Sequence, residues 1–70
     1  MTGFYHTVGK NIRRLREANK LTQVEVAKEL DVTFQQLQKY EKAINRLPLD
    51  KAYILARLFK STIEEITGEK

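Results

Sequence analysis

Seventy residues make one domain at most, with a core too small for more than marginal stability and no room for an enzyme cleft with lids. Cysteine is absent and His6 is the single histidine, so disulfides, a thiolate metal site and a histidine-rich metal site are all excluded. Thirteen Lys and Arg against nine Asp and Glu give a formal charge of +4 and a sequence pI of about 9.6, a balance that suits a polyanionic partner.

With 41% hydrophobic residues and one proline, the chain is too apolar to be disordered and too poor in breakers to be all-β. An all-α fold is expected. No apolar run approaches the roughly 20 residues that cross a bilayer, and Met1 to Thr7 lacks the basic and apolar regions of a signal peptide. These features predict a soluble, cytoplasmic chain with no membrane contact. There is no internal repeat, low-complexity tract or linker, so residues 1–70 read as a single domain with loose tails at 1–6 and 68–70.

In chain order, Thr7 is a candidate N-cap for a first helix over about residues 8–19, where Ile12, Leu15 and Ala18 or Asn19 recur at helical spacing. Arg16 borders this apolar stripe. Thr22 with Glu25 forms a capping box and Leu21 with Val26 a hydrophobic staple, so the second helix starts at Gln23 and buries Val26, Ala27 and Leu30. It ends near Asp31, a residue that tolerates the left-handed conformation of a tight turn. After the turn 31–33 the signature repeats, with Thr33 and Gln36 as the box and Val32 and Leu37 as the staple. In the third helix Leu37 and Tyr40 share the inward face, leaving Phe34, Gln35, Gln38 and Lys39 directed elsewhere. A loop follows over 43–47, and Pro48 suits the first position of a fourth helix that runs to about Phe59. Its stripe of Ala52, Leu55, Ala56 and Phe59 is widened by Tyr53, Ile54 and Leu58, which suggests burial on more than one side. Thr62 with Glu65, or Ser61 with Glu64, caps a short fifth helix carrying Ile63 and Ile66.

Two capped helices joined by a three-residue turn, the second bearing a row of amides and a lysine, are what a helix lying in a DNA groove requires. Together VGKNIRRLRE, LTQVEVAKELDVT, LQKYEKAINR and LARLFKSTIEEI resemble the Cro/Xre family of helix-turn-helix domains, to which the lambda-type repressors belong. The likeness covers about residues 8–67. It implies a compact five-helix, lambda-repressor-like DNA-binding domain with a central helix-turn-helix, whose third helix enters the major groove while the second crosses the backbone. Carried over by position, it implies base reading by Thr33, Phe34, Gln35, Gln36 and Lys39, and a phosphate contact from Gln23 at the start of the second helix. The side-chain chemistry agrees, because Gln pairs bidentately with adenine, Lys with guanine acceptors, and an apolar ring with a thymine methyl. The same likeness implies a buried ion pair between Arg16 and Glu41 that orients the reading helix.

Phe34 stands where family members often carry a polar side chain that braces the residue at Gln23; it either faces DNA or folds back onto its own domain. Asp31, Ala43 and Lys60 occupy slots where the family commonly has glycine, so the loop after the third helix is expected to place its left-handed residue at Asn45.

Lys42, Asn45 and Arg46 flank that loop and, with Lys10, are the candidate phosphate contacts. Tyr53, Leu58, Ile63 and Ile66 are either ordinary core or the seam of a homodimer, which a small single-helix reader would use to double its contact with DNA. Neither a metal, a cofactor nor a small-molecule ligand is implied, and no nucleophile, base and acid cluster points to an enzyme. The expected role is that of a sequence-specific double-stranded DNA-binding transcriptional regulator, a repressor on a two-fold operator. The alternative is a protein-interaction module of the same fold, an antitoxin or a coactivator-like bridge.

Overall fold

The computed structural model describes residues 2–69, and the loose ends expected at Met1 and Lys70 fall outside them. Helix α1 (Thr2–Ala18) is followed by α2 (Gln23–Leu30), α3 (Phe34–Glu41), α4 (Leu49–Leu58) and α5 (Ile63–Thr67), with no strand among the described residues. Helix α1 begins well before the expected start. Residues 2–6 are its first turns rather than a tail, and Thr7 lies inside the helix instead of capping it.

The other N-termini follow the side-chain signals. At α2 both halves of the box form: Glu25 N donates to Thr22 Oγ1 at 3.1 Å, and Thr22 N donates to Glu25 Oε1 at 2.8 Å. At α3 only one half forms. Gln36 N donates to Thr33 Oγ1 at 3.1 Å, but the Gln36 amide turns outward and donates to Asn45 Oδ1 at 3.3 Å. Thr62, not Ser61, caps α5 through Glu65 N. Pro48 sits one position earlier than expected, as the N-cap of α4 with extended backbone.

The C-termini share one device. Lys20, Asp31, Ala43 and Lys60 all adopt positive φ, between 52° and 60°. At each, two backbone bonds close the helix end, as in Val32 N to Ala27 O and Asp31 N to Lys28 O, or Ile44 N to Lys39 O and Ala43 N to Tyr40 O. This is the Schellman pattern, which satisfies carbonyls that the helix leaves open. Ala43, not Asn45, is therefore the left-handed residue after α3. The backbone bonds made there outweigh the local preference for Asn.

The core is one cluster, filled from α1 by Val8, Ile12 and Leu15, from α2 by Val26, Ala27 and Leu30, and from α3 by Leu37 and Tyr40. Leu47, then Ala52, Leu55, Ala56 and Phe59 of α4, and Ile66 of α5 complete it, with Leu21 and Val32 packed against its edge. Polar ties close the remaining gaps: Asn11 Nδ2 donates to Ile66 O at 3.0 Å, and Lys51 Nζ donates to Leu30 O at 2.9 Å, placing a cation at the negative end of α2. The wider stripe of α4 is not buried within this chain. Tyr53 remains 56% exposed and Leu58 half-buried, whereas Ile66 is wholly enclosed.

Candidate nucleic-acid interface

Two short helices held almost without pause by Thr22 and Thr33 set the geometry of the site. Because Leu37 and Tyr40 are sunk in the core, α3 turns Phe34, Gln35 and Lys39 to solvent, with Thr33 exposed at its start. Phe34 is 41% exposed, so it stays out of the core. Gln36 is half-buried against Asn45, which joins the reading helix to the loop that follows it.

Behind α3 lies the ion pair. Arg16 Nε donates to Glu41 Oε2 at 2.7 Å and Arg16 Nη2 to Glu41 Oε1 at 3.3 Å, while Arg16 Nη1 donates to Leu21 O at 3.1 Å. The two side chains are 11% and 5% exposed. A fork-on-carboxylate pair of this kind fixes an angle as well as a distance, so α1, the start of α2 and the end of α3 are locked to one another.

The network then extends toward the surface. Gln23 Nε2 donates to Glu41 Oε1 at 3.1 Å, and Gln38 Nε2 donates to Gln23 Oε1 at 3.2 Å. These residues line an open cleft of about 500 Å³ together with Arg13 and Lys42. Further along, Lys42, Asn45 and Arg46 are exposed, and the Arg46 guanidinium lies 5.8 Å from the centroid of the Tyr5 ring. Tyr5 is itself held edge-on by Phe4, with ring centroids 4.9 Å apart. Lys10 is exposed on α1.

Gln38, which helical period groups with the outward residues, is half-buried and belongs to this network. Its position three residues before Glu41, on the same helix face, was the available signal. Tyr5 carried a signal too: it stands three residues before Val8 and seven before Ile12, in register with the apolar stripe of α1.

A family model described as Helix-turn-helix matches residues 12–66. The chain belongs to the Cro/Xre-type helix-turn-helix family. Within this helix-turn-helix family it is similar to an uncharacterized HTH-type transcriptional regulator of Rickettsia conorii, 44% identical over 57 residues that cover 81% of this chain and 46% of the relative. It is also similar to the uncharacterized HTH-type transcriptional regulator YobD of Bacillus subtilis, at 36% identity over 84% of this chain and 53% of the relative. Antitoxin PezA of Streptococcus pneumoniae is 31% identical over 89% of this chain and 39% of its own length. The chain thus spans about half the length, or less, of these curated relatives. No solved structure matches it significantly.

Proposed function

We propose that residues 1–70 form one DNA-binding domain of a sequence-specific transcriptional regulator, which acts in the cytoplasm as a repressor by occupying a two-fold operator. The observation that carries this is the exposed row Phe34, Gln35 and Lys39 on a helix held rigid by its capped neighbour and by the Arg16–Glu41 pair. A reader must present its side chains at fixed register, and a locked helix does so without loss of order on binding. The names of the relatives, HTH-type transcriptional regulators in two of the three cases above, support the same role.

In this account Thr33, Phe34, Gln35, Gln36 and Lys39 face the bases, with the Phe34 ring against a thymine methyl. Gln23, Lys42, Asn45, Arg46 and Lys10 face phosphates and set the register. Among the described residues no helix is long and apolar enough to cross a membrane. Dimerisation is assigned to the exposed apolar surface of α4, where Leu49 is 71% exposed and Tyr53 and Ile54 are exposed on the same helix, with the half-buried Leu58 and Ile63 as further candidates. Ile66 takes no part, since it presents no surface.

Likeness to an antitoxin favours a second reading, in which that same α4 surface holds a different protein. Footprinting on duplexes enriched from random sequence separates the two. Protection of two half-sites about one helical turn apart, 10 to 10.5 base pairs, is expected of a dimeric operator binder. Absence of protection on any duplex contradicts it.

A further inference from the structure

We propose that Gln38 is a positioning residue, which together with Glu41 clamps the side-chain amide of Gln23 so that an N–H, not the carbonyl, is offered to the DNA backbone. The inference rests on the assignment of a DNA-binding role above and deepens it at one site.

Hydrogen-bond chemistry dictates the polarity of the relay. A carboxylate only accepts, and both oxygens of Glu41 already accept from Arg16. Gln23 must therefore turn its NH2 group toward Glu41 Oε1, which leaves Gln23 Oε1 on the opposite side. There a donor is needed, and Gln38 Nε2 supplies it at 3.2 Å. Of the two hydrogens on Gln23 Nε2, one is spent on Glu41; the second remains, on a residue that lines the open cleft at the positive end of α2. Phosphate oxygens only accept, so a Gln23 amide held this way is matched to them, and one rotated by 180° presents an acceptor to an acceptor.

Gln38 is suited to hold the amide rather than to read a base. It is half-buried, it comes from the side of α3 that turns toward α2, and its donor is engaged across the helix pair. Phe34, the first residue of α3, has no hydrogen-bonding group on its ring to offer Gln23. Bracing thus comes from one turn farther along α3.

A double-mutant cycle tests this. Wild type, Gln38→Ala, Gln23→Ala and the double variant are titrated with fluorescein-labelled duplexes, both a random-sequence mixture at low salt and the duplex that wild type enriches most, after thermal melts confirm that each variant folds. Gln38→Ala is expected to weaken binding about 3- to 10-fold, the range of one net hydrogen bond, on every duplex alike. In the Gln23→Ala background the same change is expected to have less than about a twofold effect, because the group it positions is gone. A merely structural Gln38 would show no such dependence on Gln23. Wild-type affinity in Gln38→Ala, an undiminished loss in the Gln23→Ala background, or a changed order of preferred sequences would each overturn the proposal while leaving DNA binding intact. Failure of wild type to bind either probe would instead overturn the DNA-binding assignment, and this inference with it.

Discussion

The backbone of α1 at Gly9 lies directly on the last carbonyls of α3. A Cβ on Gly9 would come within 2.8 Å of the Tyr40 carbonyl oxygen and closer still to the Glu41 carbonyl oxygen. No side chain there can swing aside, because the neighbour is backbone. Gly9→Ala should therefore lower stability by about 2 to 3 kcal/mol through forced displacement of the two helices, although alanine is the better helix former by about 1 kcal/mol. For a domain of this size that is a fall in Tm on the order of 10 °C. A circular-dichroism melt checks it; a Tm equal to or above wild type would show that helix propensity alone governs the site.

The Arg16–Glu41 pair predicts an asymmetry between single and paired replacement. Glu41→Ala leaves an almost enclosed guanidinium without its carboxylate, and the expected loss is about 3 to 5 kcal/mol. Replacing both partners, Arg16→Met with Glu41→Leu, removes both charges and should be much milder. Urea unfolding of the three proteins is the measurement. Equal losses in the single and the paired variant would mean that the pair acts through shape rather than charge.

Four helix ends are closed by residues other than glycine, and three of them, Lys20, Ala43 and Lys60, gain nothing from their side chains in that conformation. Ala43→Gly and Lys60→Gly should each raise stability by about 1 kcal/mol by relieving the left-handed strain. Asp31→Gly should gain less, since a short polar side chain tolerates that region better. The two gains should add, the sites being on different turns. Denaturant midpoints that fall in Ala43→Gly would contradict the assignment of its backbone.

Much of this was legible in the residues themselves. The cap at Thr22 and the inward pair Leu37 and Tyr40 follow from local hydrogen bonding and from helical period, and both stand in the structure. The Arg16–Glu41 contact followed only from likeness to a family, because a pair 25 residues apart leaves no local trace. Gly9 was hidden for a similar reason: a glycine within a helix hints at close packing, but only the crossing of α1 on α3 says against what. Local propensity misled at Ala43 and Asn45, where completing the helix-end bonds prevailed over the preference of Asn for positive φ. Residues 2–6 were legible as helix from the spacing of Phe4 and Tyr5 to Val8 and Ile12, but Thr7 offered a competing cap; what the sequence did not show is the contact of Tyr5 with Arg46.

That same contact carries a prediction about affinity. Arg46→Ala should weaken binding to all duplexes alike and reduce the slope of log K against log salt by about 1, as loss of one phosphate contact does. Tyr5→Ala should produce a smaller, sequence-independent loss, since a cation–π contact at an exposed site is worth about 0.5 to 1 kcal/mol. Tyr5→Phe keeps the ring and should bind as wild type. Titrations at several salt concentrations would show it, and an unchanged salt slope in Arg46→Ala would remove Arg46 from the phosphate contacts.

The central claim is that α3 reads base edges through its exposed face. The most direct measurement is selection from a pool of random duplexes, run in parallel with wild type, Gln35→Ala and Lys39→Ala. Wild type should enrich one motif, arranged as two related half-sites. Each variant should still bind but relax its preference at one or two positions of that motif, by about 1 to 3 kcal/mol per lost bidentate contact. Enrichment of no motif by wild type, or of an identical motif by wild type and Lys39→Ala, would contradict the account.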